Sequence, residues 1–264
     1  MATYKKRGYK TKPKQVEEVI NDEELSYQEG ESTTEEVFNT LDDTANKTEE
    51  WVAENQKYIF GSVGAIALVV LLYLGYQNLV VFPKEEKAAS ELFVAQQTYK
   101  DALEANSIDK QALYNKALSG VDGESLGFLD VIADYSGTDA ANVANYYAGF
   151  AYLSLEKYDE AIKYLDTFSS DDYVLNALAK GGIGDAFAQL DQGEQALDYY
   201  KKALAEKPNS FTTPKFLLKS AKIALELGKV DVAINSLEKI NKEYSETTEA
   251  DEVEGLLAKA KASK

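Results

Sequence analysis

Residues 145–168 read NYYAGFAYLSLEKYDEAIKYLDTF, and two later stretches repeat the same pattern of small and large residues. The later copies read KGGIGDAFAQLDQGEQALDYYKKALAEKP at 180–208 and LLKSAKIALELGKVDVAINSLEKI at 217–240. Aligning the three copies gives four matched positions, each occupied by one residue from every copy. The first holds Gly149, Gly184 and Ala221, and the second holds Tyr152, Phe187 and Ala224. The third holds Ala161, Ala196 and Ala233, and the fourth holds Leu165, Tyr200 and Leu237. Apolar residues three and four apart predict helices. Each copy therefore predicts a helical hairpin whose small residues let the two helices approach closely.

This pattern resembles the tetratricopeptide-repeat (TPR) family, whose repeats are about 34 residues long. The copies here follow one another after 35 and then 37 residues, and Pro208 falls at the end of the second. The predicted repeats span about 141–173, 176–208 and 213–245. Stacked repeats need end helices that cover the outermost apolar faces. The flanking sequence therefore predicts half-repeats or capping helices within a TPR domain at 84–264.

An uncharged stretch precedes the repeats. No charged residue occurs in the 26 positions between Lys57 and Lys84, and about 20 apolar residues are enough for a helix to span a bilayer. Aromatic rings near its ends suit the membrane interface. We predict a transmembrane helix at 58–82, on which small residues could pack against another helix: Gly61, Gly64 and Ala65. The expected fold class is all-α, a single N-terminal transmembrane helix followed by a TPR α-solenoid.

The chain ahead of this stretch carries charge of both signs. Six basic residues open it, at Lys5, Lys6, Arg7, Lys10, Lys12 and Lys14. An acidic run follows, so residues 1–31 predict a disordered tail. The basic part could contact anionic lipid or ribosomal RNA, or could remain a solvated tail. Residues 32–57 predict an amphipathic juxtamembrane helix that packs on a partner, lies on the membrane, or stays solvated. The basic tail favours a cytoplasmic N-terminus.

Composition excludes several function classes. The chain has no Cys and no His, so the usual zinc, iron–sulfur and copper ligand sets and imidazole-based triads are absent. A net charge of −17 disfavours nucleic-acid binding by the folded part, and no DNA partner is expected. No phosphate loop or hydrolase motif occurs, and GGIGDAF follows a helical pattern rather than a strand. We predict no enzyme activity and no cofactor.

The TPR resemblance implies a candidate partner groove, because the first helix of each TPR hairpin lines a concave surface. The residues expected there are Val143, Tyr146, Phe150, Leu153, Asp185, Gln189, Lys215 and Lys222, with Leu178 and Leu218 on the same face. An apolar patch beside mixed charge suits an extended or helical peptide. The alternative is that these residues pack on neighbouring helices or on segment 84–118. The Lys and Asn pairing of carboxylate-clamp TPRs is absent.

Three stretches together resemble a narrower family, the YfgM-like TPR subunits of the bacterial Sec translocon in their Bacteroidetes-type form. They are KTEEWVAENQKYIFG at 47–61, NYYAGFAYLSLEKYDEAIKYL from residue 145, and GGIGDAF at 181–187. The resemblance spans about 35–260. It implies partnership with the SecYEG channel and a membrane-anchored periplasmic prolyl-isomerase-type chaperone, and contact with nascent exported chains.

The same resemblance implies a single-pass protein of the bacterial inner membrane with a cytoplasmic N-terminus and a periplasmic TPR domain. The alternative is an inner-membrane scaffold for another envelope or secretion complex. Outer-membrane TPR assembly proteins usually carry a lipidated Cys, which this chain lacks.

Overall fold

The computed structural model describes residues 33–263. The chain divides into two compact units, Met1–Val69 and Val70–Lys264. The predicted tail at 1–31 and its six basic residues lie outside the described part.

Helix α1 (Thr33–Tyr76) supplies all described residues of the first unit. It crosses residues 57 and 58 without a break, where the sequence suggested separate juxtamembrane and membrane helices. No proline or glycine occurs from residue 33 to 60, so nothing in the sequence interrupts the helical hydrogen bonds there. Among the described residues, one helical stretch is long and apolar enough to cross a membrane, with a mean hydropathy of 2.1 in its most apolar part. The side chains of this most apolar part are not buried against other described residues.

The apolar stretch ends differently from the prediction. Helix α1 stops at Tyr76, a single π-helical segment covers Gln77–Val81, and α2 (Phe82–Glu104) begins directly after it. Pro83 lies in the first turn of α2. The amide of Phe82 still donates to the Gln77 carbonyl, so the helical backbone runs on through the π-helical segment into α2.

Nine further helices follow in the second unit, and no extended strand occurs among the residues described. They are α3 (Ser107–Ser119), α4 (Phe128–Asp134), α5 (Asp139–Ser154), α6 (Tyr158–Thr167), α7 (Tyr173–Gln189), α8 (Gly193–Leu204), α9 (Thr212–Glu226), α10 (Val230–Glu243) and α11 (Val253–Ala262). A short 3₁₀ helix, Thr248–Glu252, precedes α11. The all-helical expectation is confirmed for the described part of the chain.

The hairpins α5/α6, α7/α8 and α9/α10 coincide with the three sequence repeats. Each first helix also packs on the hairpin before it, and α11 packs on α10. The small residues lie at the closest approaches: a Cβ on Gly149 would overlap Leu165, and one on Gly184 would overlap Tyr200. The alanines matched in the alignment have no exposed surface: Ala161, Ala196 and Ala233. The repeat pattern is therefore the pattern of buried contacts within each hairpin.

The turns inside the three hairpins share one backbone conformation. Glu156, Asp191 and Gly228 have φ of 59°, 57° and 69°. The next residue donates its amide back across the turn in every case, as from Lys157 to the Tyr152 carbonyl at 2.9 Å. This is the Schellman arrangement, which satisfies carbonyls at a helix end.

Helices α2, α3 and α4 form a separate core with α5. Tyr99 lies in an aromatic cluster with ring centroids 5.5 Å from Tyr114 and 5.4 Å from Tyr147. The Glu85 carboxylate on α2 accepts hydrogen bonds from the amides of Asp139 and Ala140 at 3.0 and 2.9 Å. These amides open α5, so α2 caps the first helix of the first repeat.

Candidate functional site

A cavity of about 660 Å³ lies where the first helices of the three hairpins end. Its lining includes Phe150 and Leu153 of α5, Asp185 and Gln189 of α7, and Lys222 and Glu226 of α9. Pockets of about 300–1,000 Å³ are the usual size for ligand sites. The cavity is therefore large enough for a few side chains of a bound segment.

Asp185 makes two polar contacts with other residues of the cavity lining. Its carboxylate accepts a hydrogen bond from the Tyr200 hydroxyl at 2.8 Å and pairs with the Lys219 ammonium at 2.6 Å. Burial raises the pKa of Tyr200 far above its usual value, and the Asp185 charge adds to this effect. Lys222 pairs with Glu252 at 2.6 Å. Both lysines of the cavity are thus paired within the domain.

Part of the cavity lining is apolar. Phe150, Leu153, Tyr158 and Ile223 contribute side chains that are only partly buried. Such surface remains available to a partner and gains free energy when it is covered.

Two family models described as tetratricopeptide repeat match the chain, one at 148–211 and one at 216–247. The matched residues include all of α6, α7, α8 and α10 and parts of α5 and α9. These two stretches, about a third of the chain, match tetratricopeptide repeats. TPR domains bind protein partners, and the cavity lies on such a domain.

Solved structures that match the chain include a Podosopora anserina protein described as a kinesin light chain with nearly identical TPR-like repeats. It is 14% identical, with 66% of this chain and 84% of that chain covered and a TM-score of 0.45. The MamA protein is 19% identical, with 66% and 87% covered and a TM-score of 0.43. No curated protein sequence matches the chain.

Within the TPR domain, five of the eight predicted groove residues line the cavity: Phe150, Leu153, Asp185, Gln189 and Lys222. Val143, Tyr146 and Lys215 do not. Val143 packs against the core formed by α2–α5. This agrees with the alternative hypothesis that such residues pack on neighbouring helices. The remaining two predicted face residues, Leu178 and Leu218, also pack in the repeat cores.

Tyr146 is held by other aromatic rings. Its ring centroid lies 4.7 Å from that of Phe150 and 5.0 Å from that of Phe168. Burial raises the pKa of Tyr146 to about 12, with Tyr147 and Asp172 adding smaller effects. This residue therefore joins α5 to the end of α6 and does not line the cavity.

The TPR register could have revealed more of the cavity. Phe150, Asp185 and Lys222 each follow the aligned small residue by one position. Ser154, Gln189 and Glu226 each follow it by five positions and are the last residues of their helices. Aligning these columns would have added Ser154 and Glu226 to the predicted set.

Tyr200 and Lys219 line the cavity outside these columns. Tyr200 belongs to a second helix, and Lys219 lies two positions before the aligned small residue, where the corresponding Tyr147 and Gly182 do not line the cavity. Both residues reach it through their bonds to Asp185, which connect helices distant in sequence.

The predicted helix-packing residues lie on α1 in the first unit. A Cβ added at Gly61 or Gly64 would meet nothing within 4 Å. Ala65 is likewise exposed. These positions therefore stay open for a helix from another molecule, and their role remains a prediction.

Proposed function

We propose that this chain is a membrane-anchored TPR protein that serves as an ancillary chaperone-adaptor subunit of the SecYEG protein-export translocon. Its apolar helix would anchor it in the inner membrane, and its TPR domain would bind a periplasmic chaperone or emerging clients. It would act by binding rather than by catalysis. The alternative partner is another envelope or secretion complex, for which the chain would be an inner-membrane scaffold.

One observation carries the binding role: the TPR hairpins of this chain line a cavity whose apolar side chains are only partly buried. Two further features support membrane anchoring at the translocon. One is the exposed apolar stretch of α1, because a helix with apolar side chains all round is suited to lipid. The other is the resemblance of the chain to YfgM-like subunits.

The partner is tested by mild-detergent purification of the full-length protein from its own membranes, followed by mass spectrometry. Co-purification of the Sec channel with a periplasmic chaperone is the expected result. Recovery of a different envelope complex without Sec subunits would replace the translocon role with the scaffold role.

The orientation is tested by single cysteines, because the natural chain contains none. We expect Ser263→Cys to react with a membrane-impermeant maleimide once the outer membrane is opened. Thr48→Cys, ahead of the apolar stretch, should react only after the inner membrane is broken. The reverse labelling pattern would contradict the proposed topology.

A further inference from the structure

The paired lysines leave the cavity with unbalanced negative charge. Lys219 is neutralised by Asp185, and Lys222 is neutralised by Glu252. Glu156 and Glu226 also line the cavity, and both are exposed. Their carboxylates form no hydrogen bond or ion pair with any other described residue. An entering group therefore meets two unpaired carboxylates and no unpaired ammonium.

Backbone dipoles add to this negative field. Helices α5, α7 and α9 end at Ser154, Gln189 and Glu226, and all three residues line the cavity. The C-terminal end of a helix carries a partial negative charge of about half an elementary charge, which acts within the last turn. Three such ends favour a cation over an anion at the same place.

Apolar side chains lie within the same lining. Phe150, Leu153 and Ile223 are partly buried there, beside the ring of Tyr158. Aromatic faces attract ammonium and guanidinium groups as well as apolar side chains. A wholly polar cation would leave this apolar surface uncovered.

We infer that the cavity binds a peptide segment of a partner protein that carries lysine or arginine next to apolar side chains. The inference rests on the proposed function only in taking the TPR cavity as a partner-binding surface. A TPR site that binds a free C-terminal carboxylate prefers a negative group. This cavity should prefer a positive group, because its two glutamates and the helix ends would repel a carboxylate.

The test uses the full-length protein in a neutral detergent and two fluorescent peptides of about ten residues with blocked ends. Both peptides alternate Leu, Phe and Ser, and one carries three Lys where the other carries three Glu. Fluorescence anisotropy should show the Lys peptide binding at least about tenfold more tightly than the Glu peptide. Its affinity should fall as salt rises, because screening weakens exposed charge interactions.

A matched pair of variants separates the cavity from the net charge. The double variant Glu156→Gln/Glu226→Gln should weaken binding of the Lys peptide by about tenfold. The control Glu238→Gln/Glu254→Gln removes the same charge from exposed positions outside the cavity lining and should change the affinity less than about twofold. Because the chain carries a net charge of −17, this control is needed to exclude nonspecific attraction.

Two outcomes would overturn the inference: equal binding of the two peptides, or equal losses from the cavity and control variants. Either outcome can occur while the Sec channel still co-purifies, and then the proposed function stands without this preference. Conversely, a Lys-selective cavity without Sec co-purification would retain the preference and remove the translocon role.

Discussion

At the scale of single residues, three hairpin turns require a left-handed backbone, and they meet this requirement with different residues. Gly228 adopts it without strain, whereas Glu156 and Asp191 carry a Cβ at the same conformation. A left-handed conformation costs most L-residues about 1–2 kcal/mol, and less for Asp than for bulkier residues. The third turn is therefore the least strained of the three.

Substitutions at Gly228 and at Asp191 should change the free energy of unfolding in opposite directions. Gly228→Ala should lower the free energy of unfolding by about 1–2 kcal/mol through backbone strain alone, since a Cβ there meets nothing within 4 Å. Asp191→Gly should raise it by up to about 1 kcal/mol. Urea unfolding of the purified protein measures both changes. If Gly228→Ala left the free energy of unfolding unchanged, the turn would have to adopt another backbone conformation.

Gly181 has a steric role that its position inside a helix does not reveal. A Cβ there would overlap the ring of Phe216, which is 1% exposed, at the contact between α7 and α9. Gly181→Ala should therefore destabilise the domain by about 1–3 kcal/mol, because overpacking outweighs the helix-propensity gain of about 1 kcal/mol.

Gly255 in α11 is the matched control, because a Cβ there meets no atom within 4 Å. Gly255→Ala should be neutral or stabilising by up to about 1 kcal/mol. Thermal unfolding followed by circular dichroism distinguishes the two variants. Equal melting temperatures would argue against the steric role of Gly181.

At the scale of helices, the contact between α5 and the end of α6 contains a half-buried tyrosine. The pKa of Tyr146 is raised from 10.0 to about 12, mainly by burial. Since the folded protein disfavours ionisation, the contribution of this group to stability is complete below pH 10. It is lost progressively as the pH rises to about 12.

We therefore expect the urea midpoint to fall between pH 10 and 12, and Tyr146→Phe to make this fall shallower. Part of the fall should persist in the variant, because burial also raises the pKa of Tyr99 and Tyr200. An identical pH profile for the variant and the natural protein would contradict the assignment to Tyr146.

The start of α5 is capped by Thr138, whose hydroxyl accepts a hydrogen bond from the Ala141 amide, and also by a residue of a different helix. Glu85 on α2 accepts two amide hydrogen bonds from the start of α5, where a negative charge also interacts favourably with the helix dipole. Glu85→Ala should cost about 0.5–2 kcal/mol. The neighbouring Glu86 is exposed, so Glu86→Ala serves as the control and should change the free energy of unfolding by less than about 0.5 kcal/mol. Similar losses in both variants would exclude a capping role.

At the scale of the whole repeat domain, α11 covers the last hairpin. Val253 is 2% exposed and packs in the cluster that contains Leu217, Leu237 and Ile240. In repeat domains each unit is stabilised mainly by its neighbours, so an uncovered terminal face destabilises the array and promotes aggregation.

Removal of residues 246–264 should therefore lower the unfolding temperature and cause aggregation on heating. Removal of Ser263 and Lys264 alone leaves α11 intact and is the control. Scattering and circular dichroism during heating measure both effects. If the protein without residues 246–264 unfolded at the same temperature as the control, α11 would not be needed to stabilise α10.

The sequence alone determined the helical hairpins, their number and their internal contacts. These features repeat locally: small residues, alanines and closing large residues recur at fixed spacing, and the burial of Ala161, Ala196 and Ala233 follows from that spacing. It also predicted the long apolar stretch and five of the residues that line the cavity. Three of these five, Phe150, Asp185 and Lys222, share one repeat position.

Only the tertiary structure decided which side chains line the cavity and which charges remain there. Asp185 and Lys219 are 34 positions apart, and Lys222 finds its partner in Glu252 beyond the last repeat. Glu85 reaches α5 across 54 positions. Helical periodicity fixes the face on which a residue lies, but charge pairing and burial depend on distances between helices. Those distances are set by packing across the whole domain and cannot be predicted from a local sequence pattern.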